Sequence, residues 1–148
     1  MTTYPTPTAL LERYTLFPGV GVGAICFGDR VADHPDLELR DPEPPFSFDS
    51  DLNFAEYTIA GLEEILVIFV DEDGLVDSVG FCETCMLEDR DLIGMGVGEL
   101  LVLLGLPSAI EAEDIGDDIE LSYAYDALGI ALWTIDGEVC VVQAGVHR

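Results

Sequence analysis

Ile65-Leu66-Val67-Ile68-Phe69-Val70, then Asp71-Glu72-Asp73-Gly74, then Leu75-Val76-Asp77-Ser78-Val79-Gly80-Phe81 stand in one unbroken stretch. Two β-rich runs around Asp-Gly form the strongest short hairpin signal, because a type I′ turn needs positive φ at both central residues. The pattern returns near the end of the chain. Ile130-Ala131-Leu132-Trp133-Thr134-Ile135 and Val139-Cys140-Val141-Val142 flank Asp136-Gly137. Two hairpins set the frame of an antiparallel sheet.

Working outward, Gly19-Val20-Gly21-Val22-Gly23 recurs as Gly94-Met95-Gly96-Val97-Gly98. Each copy leads into an apolar run closed by a further glycine, Gly28 or Gly105. The reading is a tandem repeat of a glycine loop, a short helix and a hairpin. Residues 1-148 form one domain, with repeat halves 15-85 and 90-148. Thr6-Pro7 fits an N-cap followed by proline, which predicts a helix over Ala9 to Tyr14. A second helix runs from Gly98 to Leu104 and stops at Gly105-Leu106-Pro107. Asp41 to Pro45 is proline-rich and irregular, Asp49 to Tyr57 starts a strand, and Glu111 to Asp118 reads as an acidic loop. Ile119 to Tyr125 reads as a strand with Ile119, Leu121, Tyr123 and Tyr125 on one face. The expected fold class is α+β, an antiparallel sheet with two or three short helices.

The charge is extreme. The 148 residues carry 30 Asp+Glu against 5 Arg and no Lys, a formal net charge of −25. Binding a phosphate backbone needs clustered Lys and Arg, so nucleic acid is excluded as a ligand, and an anionic membrane surface is disfavoured for the same reason. Disorder does not fit either, since 49% of residues are hydrophobic. The acids concentrate in Asp29–Glu56, Asp71–Asp91 and Glu111–Asp126, while Ala127–Arg148 holds only Asp136 and Glu138. Met1 to Leu16 has neither a basic start nor a long apolar run, so no signal peptide is expected and the expected compartment is the cytoplasm.

The familiar catalytic patterns fail on inspection. Gly19–Gly23 lacks the preceding strand of a dinucleotide loop, and a chain without Lys has no P-loop lysine. Counted from Asp71 as an EF-hand, position 6 is Val76 and position 12 is Cys82, so the calcium pattern fails. Cys82-Glu83-Thr84-Cys85 sits in acidic surroundings that disfavour thiolate. A zinc site there needs further ligands, from among Cys26, Cys140, His34 and His147. No cofactor and no metal is expected, and no catalytic residue.

A small, acidic chain without an export signal resembles the immunity proteins that neutralise nucleases and other toxins passed between competing bacteria. The segment Gly94 to Pro107, with Leu104-Gly105-Leu106-Pro107 before strands, is similar to the helix-then-sheet unit of β-lactamase-inhibitor-protein-like domains. Both resemblances imply an inhibitor rather than an enzyme. The expected function is binding and neutralising a basic protein, a toxin domain first among candidates. Its carboxylates would stand in for substrate phosphates. Asp114, Asp117, Asp118 and Glu120 are the first candidate contacts. Asp71, Glu72 and Asp73 come second, and Tyr123 and Tyr125 are candidate aromatic anchors. The alternatives are a metal-dependent enzyme or zinc module using Cys82 and Cys85, and a housekeeping domain whose acidity reflects a saline cytoplasm.

Overall fold

The computed structural model describes residues 14–40, 55–63, 65–88, 90–116 and 118–145. It corrects the expected fold class. Among the described residues the chain is mostly β, with thirteen strands and a single α-helix, and is not an α+β assembly of several helices. The expected helix over Ala9 to Tyr14 falls almost wholly outside the described residues, as does the irregular stretch Asp41 to Pro45.

Eight strands make the main sheet, in the order β10-β11-β12-β13-β7-β6-β5-β4. They are β4 (Leu37–Arg40), β5 (Ala55–Ile59), β6 (Leu66–Val70), β7 (Val76–Cys82), β10 (Ala109–Ile115), β11 (Asp118–Tyr125), β12 (Ile130–Ile135) and β13 (Glu138–Gly145). All neighbours in it run antiparallel. The order splits at its centre. β4 to β7 and β10 to β13 are each a four-strand meander, and the last strand of one pairs with the last strand of the other, Phe81 opposite Val142. A smaller sheet joins β1 (Leu16–Phe17), β2 (Gly21–Val22), β3 (Ile25–Cys26), β8 (Met86–Leu87) and β9 (Arg90–Asp91) in the order β3-β2-β1-β8-β9.

The repeat of a glycine loop, helix and hairpin is not kept. Gly94–Gly98 leads into α1 (Val97–Leu104), but Gly19–Gly23 leads into the β2–β3 turn. Context decides between the two. Gly21 pairs with Cys26 so closely that a Cβ there would overlap the Ile25 carbonyl oxygen, and only glycine permits that approach. In the second copy the chain is held instead against the β12–β13 turn. Val97 N–H donates to the Gly137 carbonyl and Gly94 N–H to that of Val139. α1 then buries Leu100 completely, half-buries Val97, Leu103 and Leu104, and ends at Gly105 with φ +82°.

The core lies on the α1 side of the main sheet, with Leu66, Ile68, Val79, Phe81, Leu132 and Val142 buried there. The opposite face carries a separate small cluster, Val67 and Phe69 with Cys82 packed against them. No helix among the described residues is long and apolar enough to cross a membrane.

Candidate acidic interface on the open face of the sheet

The stretch expected to be an acidic loop, Glu111 to Asp118, is instead most of β10 and the turn into β11. Its alternation explains the change. Ile110 and Ala112 stand opposite Tyr123 and Leu121, on the core side, while Glu111 and Glu113 stand opposite Ser122 and Glu120, on the open face. Glu, Asp and Ala are poor strand formers in isolation, and cross-strand pairing supplies what local preference lacks.

This register puts Glu113 directly across from Glu120 and Glu111 two residues along the same face. None of the three has a hydrogen-bond or ion-pair partner among the described residues. On the next strand Trp133 stands opposite Ser122. Glu111, Ala112, Glu113, Glu120, Ser122 and Trp133 together line a cavity of about 260 Å³. The nearby Cys140 thiol donates to the Trp133 carbonyl at 3.2 Å, and its pKa is raised by partial burial and then by the neighbouring Glu120. A larger, shallower groove beside α1 gathers Arg90, Asp91 and Glu99 and mixes the two charge signs.

The sequence-predicted site residues do not converge. Asp114 lies on β10, opposite Ile119 and so on the core-side face. Asp117 lies outside the described residues, and Asp118 opens β11. Of that group's described side chains, Glu120 joins the acidic cavity and Asp114 does not. Asp71, Glu72 and Asp73 occupy the β6–β7 tip, at the other end of the sheet from the β10–β11 turn. Asp71 is spent on its own turn, where its carboxylate accepts from the N–H groups of Asp73 and Leu75 at 2.9 and 3.0 Å. Backbone hydrogen bonds from residues 28–31 also brace this tip: Val31 N–H donates to the Gly74 carbonyl and Gly28 N–H to that of Val76.

Tyr123 and Tyr125 are 6% and 4% exposed and face the core, and the Tyr125 hydroxyl donates to the Gly105 carbonyl at 3.0 Å. Neither ring is presented to a partner in this fold. The aromatic residue that does stand among the carboxylates is Trp133, which sequence reasoning missed. The signal was available: in β12 the apolar alternation Ile130, Leu132 marks the core phase and leaves Trp133 on the other.

Cys82 and Cys85 lie apart. Cys85 is fully buried in the main core, and its thiol is held well above the ordinary pKa by that burial and by Asp91. Cys82 packs on the other face of the sheet, its thiol raised by burial and then by Glu83. Among the described residues no group of three His, Cys, Asp or Glu side chains is placed to hold a metal ion. His34 instead makes a local pair, its Nε2 lying 2.8 Å from the Asp29 carboxylate, which also accepts from the Cys26 N–H at 3.0 Å. No family model, no curated protein and no solved structure matches the chain.

Proposed function

We propose that the chain is a non-enzymatic inhibitor acting in the cytoplasm, which binds and neutralises a basic protein, in the manner of an immunity protein against a cognate toxin such as a nuclease. The observation that carries this reading is the facing pair Glu113 and Glu120, with Glu111 beside them and Trp133 at the cavity wall. Like charges directly opposite on neighbouring strands destabilise a sheet. A partner's arginine or lysine inserted between them removes that repulsion, and Trp133 adds an aromatic surface on which a guanidinium stacks. The wider charge of −25 attracts any basic protein from a distance and speeds encounter.

The test is a calorimetric titration with the polypeptide encoded by the adjacent reading frame, using the parent chain and the Glu111→Lys/Glu113→Lys/Glu120→Lys variant. The expected result is a complex that weakens with added salt, and a loss of about tenfold or more in affinity on charge reversal. Equal affinity of parent and variant overturns the reading.

A further inference from the structure

Among the described residues β10 forms an edge of the main sheet, and that edge carries more than charge. Every residue from Ala109 to Asp114 is exposed, and β10 is the last strand on its side among the described residues. A terminal strand presents a row of N–H and C=O groups that templates a further strand. The two faces of this edge differ sharply. Glu111 and Glu113 lie on the open face, whereas Ile110, which is 55% exposed, and the exposed Ala112 lie on the core side, with Asp114 next along it.

Carboxylates alone would be what a guarded edge needs, since they keep two sheets from joining. Exposed Ile110 and Ala112 on the other face work against that purpose and leave a short apolar strip. The same carboxylates exclude a second copy of this chain as the occupant. Pairing β10 with itself sets acids against acids across the seam.

We infer that β10 accepts an extended segment of a basic partner as an added strand, with arginine or lysine alternating with apolar residues. The inference rests on the proposed function above and names how the partner is read. Main-chain hydrogen bonds to the β10 edge supply affinity, and the alternating side chains supply register. Basic side chains fall on the open face against Glu111 and Glu113, and apolar ones fall beside Ile110 and Ala112. A slip of one residue would exchange the two sets, so register is strongly specified.

The probe is a synthetic peptide of alternating arginine and valine, as long as the seven-residue β10. Trp133, the single tryptophan, lines the cavity with Glu111 and Glu113 and reports binding by its fluorescence. Three comparisons are made. One is a peptide of the same composition with arginines and valines in separate blocks. Another is the alternating peptide N-methylated on one or the other set of alternate amides. The third is the Glu111→Lys/Glu113→Lys chain, checked for an unchanged circular dichroism spectrum.

The expected result is saturable binding of the alternating peptide, about tenfold or more tighter than the blocked one. N-methylation of one set of amides abolishes it and methylation of the other does not. Equal binding of the alternating and blocked peptides, lost in the Lys variant, overturns strand addition while leaving the charge-based function standing. Absence of binding, or indifference to N-methylation at both sets, also overturns it. Failure of the proposed function itself is read separately, from the titration with the adjacent reading frame's product.

Discussion

Replacing Glu113 by Lys should make the isolated protein more stable while damaging its acidic face. Directly opposite side chains in an antiparallel pair have Cβ atoms about 5 Å apart. Two unit charges about 5.5 Å apart in water repel by about 0.8 kcal/mol. Turning Glu113 positive against Glu120 makes that repulsion an attraction of similar size, a swing of about 1.5 kcal/mol before screening. At physiological ionic strength, a Debye length of about 8 Å leaves roughly half of it. Urea unfolding followed by circular dichroism measures the change. With a slope of about 1.5 kcal/mol per molar, the midpoint should rise by about 0.5–1 M in dilute buffer. The gain should shrink to near zero in about 1 M NaCl, where the Debye length falls to about 3 Å.

General relief of the net charge must be separated from this pair. Glu38→Lys makes the same change in net charge on β4, at the far edge of the sheet, where the residue opposite is Thr58. Its gain should be the smaller of the two. If Glu113→Lys stabilises no more than Glu38→Lys, or if its effect is indifferent to salt, the facing pair does not strain the sheet.

Four further outcomes are expected. Leu100→Ala empties a fully buried position under α1 and should cost about 3 kcal/mol in urea unfolding. Gly21→Ala would force a Cβ into the Ile25 carbonyl and within 2.7 Å of Cys26 Cα, so it should destabilise by roughly 3 kcal/mol, visible as a lowered thermal midpoint. The Asp29 carboxyl is held below its ordinary value of 3.8 by the Cys26 N–H and then by His34. Its contribution to stability is therefore full above that value and is lost as pH falls through the lower folded-state pKa. Asp29→Asn should accordingly be less stable than the parent at about pH 6, with the gap closing towards about pH 3. A thiol reagent should modify exposed Cys26 first, half-buried Cys82 and Cys140 more slowly, and buried Cys85 only on unfolding, as mass spectrometry of timed samples will show.

The elements that local chemistry dictates were the legible ones. At Asp136-Gly137 both residues do take positive φ, 55° and 79°, as the type I′ reading requires. At Asp73-Gly74 the hairpin is present but only Gly74 is left-handed, because the Asp71 side chain organises the turn. The helix after Gly98 was legible from its leucines and its closing glycine. What escaped was tertiary in origin. β10 exists through its pairing with β11, against the weak strand preference of Glu111, Ala112 and Glu113. Two nearly identical glycine pentapeptides part ways because one meets β3 and the other meets the β12–β13 turn. Ile119, Leu121, Tyr123 and Tyr125 do share one face, but it turns to the core: Leu121 and both tyrosines pack there, and only Ile119, near the β10–β11 turn, is left exposed. The carboxylates were visible in the sequence, and which of them stand together is a matter of register.

The seam between β7 and β13 has a consequence for how the chain reaches this shape. Within each meander, strands pair with their neighbours in sequence, so its pairings join residues much closer in the chain than the seam does. The pairing of Phe81 with Val142 spans most of the second half of the chain and must wait for both. Folding should therefore proceed from two locally formed sheets to one late joining step, since distant contacts form slowly. Substitutions along the seam, at Gly80 or Gln143, belong to that last step. They should speed unfolding far more than they slow folding.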